Sequence, residues 1–137
     1  MGSRIACHYA NVGCEVLLLD IAPKELNDAE QKKGASLDDK AVRNRIVNSS
    51  LQFALKSNPS PIYNKAFASR IETGNFDDDF HKIKECDWVI EVIIERLDIK
   101  QQLFEKVEKH RKPGTIISSN TSGIPIQMML DGRSEDF

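Results

Sequence analysis

An α/β fold, with helices crossing between short parallel strands, is predicted by three features of the sequence. Its apolar runs, "EVLLLD", "DWVIEVII" and "TIISSN", are short and do not alternate, which suits strands buried on both faces of a parallel sheet. Segments of helical periodicity separate these runs, as crossover connections require. Third, Gly2 opens the first helical segment and a strand-end acid, Asp20, follows 18 positions later. In a dinucleotide-binding βαβ unit the last glycine of G-x-G-x-x-G opens the helix, and an acid about 20 residues on accepts the ribose hydroxyls. Gly2 and Asp20 are therefore candidate cofactor-binding residues. No arginine follows Asp20 to receive a 2′-phosphate, so NAD is expected rather than NADP. The fold expected is α/β: a Rossmann-like, doubly wound, mostly parallel sheet lacking its first strand, with residues 1–137 forming one domain.

Taken in order, the elements read as follows. From Gly2 to about Val12, Ile5, Tyr9 and Val12 recur at helical spacing beside small Ala6 and Ala10, and Gly13 ends the helix. "EVLLLD" follows as a strand, and Pro23 suits the first turn of the next helix. Lys24 to Lys56 is polar, with apolar Val42, Ile46, Phe53 and Leu55, and reads as helical pieces broken near Gly34. The two prolines of "SNPSPIY" then impose extended chain. "RIETG" is a strand, and "NFDDDFHKIKEC" a short surface helix with acids at its N-terminus, where the dipole favours them. "DWVIEVII" is the strongest strand signal. From Asp98 to His110, Ile99, Leu103 and Val107 form one apolar helical stripe, closed by Pro113-Gly114. "TIISSN" is the last strand, "TSG" a turn, and "PIQMML" starts a helix with Pro125 near its first turn.

Composition narrows the function. Hydrophobic residues make up 40% of the 137, enough for a core, and charged residues 29% with a net charge of -2. That balance offers no footprint for nucleic acid and no basic face for a membrane. The apolar runs are too short to span a bilayer, and no signal-like segment opens the chain, so a cytoplasmic address is expected. Cys7, Cys14 and Cys86 are odd in number and lack C-x-x-C spacing, which argues against a disulfide framework or a metal site.

Two further segments carry a resemblance. "DWVIEVIIERLDIKQQLFEKVE", followed by "TIISSNTSGIPI", resembles the NAD-binding domain of the L-3-hydroxyacyl-CoA dehydrogenases, which pair a V-x-E-A-x-x-E-type strand with a later S-N-T-S turn. The "GSRIA…G…VLLLD" start fits the same family. The similarity covers nearly the whole chain and is weakest from Asn27 to Lys65, where the longer segment resembles the multifunctional fatty-acid oxidation proteins. The resemblance implies that Asp20 binds the adenosine ribose, and that Glu95, Lys100 and Asn120 face the nicotinamide ribose. Ser122 is implied to touch both cofactor and substrate, beside the reacting carbon, as the catalytic candidate of this chain. The reaction implied is reversible hydride transfer between NAD and the C3 position of a 3-hydroxyacyl-CoA, the acyl-CoA being the substrate partner. Read from the residues alone, Glu95 and Lys100 equally suit a solvated charge pair, and Asn120 and Ser122 plain turn residues.

The family's general base is a histidine in an H-F-F-N-P segment after S-N-T-S. None follows here before Phe137, and His8, His81 and His110 match no catalytic position. The chain is thus expected to be a piece cut at both ends, inactive alone and a weak binder of NAD. Two alternatives stand beside this reading: a relative acting on another 3-hydroxy acid, or a non-catalytic binding module derived from the family. In the strand order 3-2-1-4-5-6 the missing strand is central, which would leave a slot of about 10 Å, two strand spacings. Self-association or partial unfolding is expected to follow from it.

Overall fold

The computed structural model describes residues 1–137. The chain divides into two compact units, Met1–Phe80 and His81–Phe137. Each contains one parallel strand pair joined by a helical crossover, as a doubly wound parallel sheet lacking its first strand should.

In the first unit β1 (Val16–Asp20) pairs with β2 (Ile71–Asn75), Val16 opposite Ile71 and Asp20 opposite Asn75. Helix α1 (Gly2–Asn11) packs on this pair through Ala6, Cys7 and Ala10 rather than through the larger stripe the periodicity predicts. Val12 is left exposed. Small residues on the inner face let the helix lie close to the strands. Gly13, at φ +96°, ends α1 in a Schellman motif, with Cys14 N–H donating to the Tyr9 carbonyl and Gly13 N–H to that of Ala10. The Arg70 guanidinium donates to the Ala10 carbonyl at 2.6 Å. It also lies over the Phe67 ring, joining the end of α1 to the segment before β2.

Two expectations change here. Every β1 residue is only half-buried, not covered on both faces. Pro23 lies in irregular chain, and the next helix, α2 (Asp28–Lys32), starts at Asn27, whose side chain and that of Glu30 form a reciprocal capping box. Two side-chain-to-backbone bonds at Asn27 outweigh proline's weaker preference for a first turn. After α3 (Lys40–Arg43), α4 (Arg45–Lys56) buries Val47, Leu51 and Ala54 and leaves Phe53 exposed. The Asn58–Pro59 peptide is cis, and a 3-10 helix, Lys65–Arg70, leads into β2.

At the carboxyl end of β2, buried Asn75 donates to Asn44 Oδ1 and Asp78 Oδ2, both at 2.8 Å. Its side-chain oxygen, Oδ1, accepts the Asp77 and Asp78 N–H groups. Arg43 grips Asp78 from outside, at 2.5 Å and 3.0 Å. The acids of "NFDDDF" therefore build a turn around Asn75, and only the 3-10 helix Phe80–Glu85 follows, in place of the expected acid-capped helix.

In the second unit β3 (Trp88–Glu91) pairs with β4 (Ile116–Ser119), with α5 (Leu97–His110) between them in sequence. Trp88, 46% exposed, donates its indole N–H to Ser118 Oγ on β4 at 2.9 Å. The buried face of α5 is Lys100, Phe104 and Val107, rotated from the predicted stripe by one residue at two of three positions. Helix α6 (Ile126–Met129) follows Pro125 and buries Met129. The last residues dock on α5: Arg133 pairs with Glu108 at 2.7 Å, and the Phe137 ring meets Phe104 edge-on. No disulfide forms, and burial pushes the Cys7 and Cys86 thiols up from their ordinary value. No helix is long and apolar enough to cross a membrane.

Candidate functional site

Four of the residues singled out from the sequence, Glu95, Lys100, Asn120 and Ser122, come together at the carboxyl ends of β3 and β4. Ligands sit outside that edge in doubly wound sheets. The site is built outward from a buried ion pair. Glu91, the last residue of β3, is 2% exposed, and Lys100 on α5 is 1% exposed. The Lys100 ammonium donates to both Glu91 oxygens, at 2.7 Å and 2.8 Å. The Glu91 carboxylate also accepts the Ser119 hydroxyl and, at 2.7 Å, the Ile93 N–H. With these donors in place, the pair meets the condition for keeping charge inside a protein: every lone pair that matters has a partner.

Lys100 has one more neighbour, Glu95 Oε2, at 3.2 Å. The other oxygen of Glu95 holds the S-N-T-S-G turn. It accepts the Thr121 hydroxyl at 2.5 Å, the Ser122 N–H at 3.1 Å and the Gly123 N–H at 3.0 Å. Thr121 in turn accepts the Ile124 N–H, and the Asn120 N–H donates to the Glu91 carbonyl at 2.8 Å. The turn's backbone is thus fixed from both ends, leaving Asn120 and Ser122 exposed. Lys100 is different: it is enclosed between two carboxylates.

These donors, the Thr121 hydroxyl foremost, hold the Glu95 carboxyl down to about 2 from an ordinary 4.5. A depressed carboxyl contributes stability that is complete above its ordinary value and is lost as pH falls through the folded one. The turn should therefore stay fastened at pH 4.5 and release only towards pH 2. A carbon-detected titration of the Glu95 carboxyl checks this, and a midpoint near its ordinary value would refute it.

Gly2 and Asp20 belong to the Met1–Phe80 unit. Gly2 is the first residue of α1, and Asp20 closes β1 with its Oδ1 accepting the Ile21 N–H at 2.8 Å. Glu91, Ser119 and Thr121 lie in the motifs quoted from the sequence but are given no role by that reading. Glu91 did leave a signal, since it is the one charge inside "WVIEVII". No group of three or more His, Cys, Asp or Glu side chains is placed to hold a metal ion.

A parallel β-α-β pair ending in an acid in one unit, and one with a pinned polar turn at its carboxyl edge in the other, are features of a nucleotide-binding α/β domain. Comparison with known proteins gives the family. The chain belongs to the 3-hydroxyacyl-CoA dehydrogenases, matching the profile of their NAD-binding domain over residues 1–136. It is 49% identical over its full length to a probable 3-hydroxyacyl-CoA dehydrogenase of Bacillus subtilis, covering 17% of that protein. It is 39% identical, over 94% of its length, to a putative fatty acid oxidation complex trifunctional enzyme of Rickettsia prowazekii, covering 16% of it. Among solved structures, 3-hydroxybutyryl-CoA dehydrogenase of Escherichia coli K12 superposes with a TM-score of 0.63 at 25% identity, over 99% of this chain and 25% of the other. The chain thus spans about a sixth of the length of these two curated relatives.

Proposed function

We propose that the protein to which this NAD-binding domain belongs interconverts 3-hydroxyacyl-CoA and 3-oxoacyl-CoA in fatty-acid oxidation. The observation that carries this reading is the S-N-T-S-G turn, pinned by Glu95 with Asn120 and Ser122 left exposed at the carboxyl edge of β4. Bound there, NAD supplies the hydride acceptor. Asp20 takes the adenosine ribose hydroxyls. Asn120 and Ser122 face the nicotinamide ribose and the substrate, with Ser122 holding the substrate oxygen. Glu95 and Lys100 serve the same region, Lys100 through Glu95, because its ammonium is enclosed.

Binding of NADH and NADPH to the chain, followed by nucleotide fluorescence, tests the cofactor half of this reading. At an effective dielectric of about 20, like charges about 5 Å apart repel by roughly 3 kcal/mol, so Asp20 should favour NADH by about tenfold or more even after salt screening. In Asp20→Asn the preference should collapse. Equal affinities in the unsubstituted chain, or a preference for NADPH, would sink the assignment. Turnover is a property proposed of the whole protein. The chain by itself, without an H-F-F-N-P histidine, should leave NADH unconsumed when given acetoacetyl-CoA.

A further inference from the structure

We infer that Glu91 is a positioning residue for the Asn120–Gly123 turn: by holding the Lys100 ammonium in the core, it leaves Glu95 free to grip the turn. The inference rests on reading that turn as the face offered to cofactor and substrate.

The argument is one of competition for a single ammonium. Lys100 is buried among Phe104 and Val107 on the inner face of α5, so its charge must be balanced where it stands. Two carboxylates are in reach. Glu91 takes the ammonium with both oxygens at 2.7 Å and 2.8 Å, whereas Glu95 meets it with one oxygen at 3.2 Å. That asymmetry lets the two Glu95 oxygens divide their work, Oε2 towards Lys100 and Oε1 towards the three donors of the turn. Were Glu91 uncharged, the ammonium would have only Glu95 as counter-ion. Closing 3.2 Å to a full ion pair would then draw the Glu95 carboxylate inward, away from the Ser122 and Gly123 N–H groups.

Glu91 acts on the turn by two other routes. It accepts the Ser119 hydroxyl one residue before Asn120, and its carbonyl accepts the Asn120 N–H. The start of the turn is thus tied to Glu91 directly and its middle through Lys100 and Glu95. Neither route touches a ligand, so the role is positioning rather than catalytic.

The test reads amide protons in the full 137-residue chain. In Glu91→Gln, the Ser122 and Gly123 amides should move upfield and exchange faster by roughly tenfold or more, the worth of one hydrogen bond to a charged group. Amides of Val89 and Ser118, which bond across the β3–β4 ladder, should keep their protection. In the double variant E91Q/K100Q the competing charge is gone, and the two turn amides should return to their original shifts. If Glu91 merely fills space, both variants lose stability and the turn amides do not move selectively, which overturns the inference. Should E91Q fail to fold, the unsubstituted chain decides. Hydrogen-bond couplings from Lys100 Nζ should be larger to the carboxyl carbon of Glu91 than to that of Glu95, and a coupling to Glu95 that is as large or larger overturns it. A chain that binds no dinucleotide would defeat the proposed function and leave all of these readings unaltered.

Discussion

Replacing Lys100 with methionine should cost about 3–5 kcal/mol, because it strands the Glu91 carboxylate in the core without its counter-ion. The side chains of the pair are 1% and 0% exposed, so water cannot take over the role of the lost ammonium. Ser119 and Ile93 would still donate to Glu91, which places the expected loss at the lower end of that range. For a chain of this length the melting temperature should fall by on the order of 10 °C. The double variant E91L/K100M removes both charges and should recover to within about 1–2 kcal/mol of the original, since buried pairs are often replaceable by apolar groups at little cost. Urea denaturation of the three proteins measures both effects. A loss below about 1 kcal/mol in K100M, the range of a solvent-exposed pair, would refute the buried network.

Gly74→Ala should be the next most damaging change, at about 2–4 kcal/mol. A methyl group there would meet the Asp79 side chain at Oδ2 2.6 Å, Cγ 2.7 Å and Cβ 2.8 Å. The Cβ atom is fixed by the backbone, so rotation of the carboxylate cannot relieve the clash. Asp79 is also held in place, Oδ2 accepting the Asn75 N–H and its own N–H donating to the Asn75 carbonyl, both at 3.0 Å. Overpacking costs roughly 1–3 kcal/mol, and a lost bond to a charged acceptor adds roughly 1.5–3 kcal/mol where it is not remade. In an Asp79→Gly background the same substitution should cost under about 1 kcal/mol, because no side chain remains to collide with. Additive losses in that cycle would show that the two residues do not meet.

The end of β1 and the turn after β4 were legible from the sequence because their signals are local: "EVLLLD" ends at the acid, and "SSNTSG" is a strand followed by turn residues. Three of the features that were not legible share a cause: a polar or charged side chain takes a role that a hydrophobic template does not give it. The α5 stripe read as Ile99, Leu103 and Val107 is rotated because Lys100 points inward, drawn by Glu91. "DWVIEVII" reads as one long strand, yet the ladder stops at Glu91, whose carboxylate takes the Ile93 N–H and turns the backbone aside. The acids after β2 look like a helix start and instead wrap Asn75, a bonding pattern that depends on Asn44 and Arg43 more than 30 residues earlier. In each case the determining partner is distant in sequence or is charged, and a hydrophobic template weighs neither.

The chain has one tryptophan and two tyrosines, and the fold sorts them. Trp88 opens β3 with its indole tied to Ser118, while Tyr9 and Tyr63 both lie in the Met1–Phe80 unit. Excitation near the red edge of protein absorbance selects indole over phenol, so its emission follows the β3–β4 pair alone. Rupture of the Ser118 bond shifts that emission without any contribution from the other unit, whose phenols answer only at shorter wavelength. The protein therefore carries two optical channels, and whether its halves melt in one step or two can be read without a label.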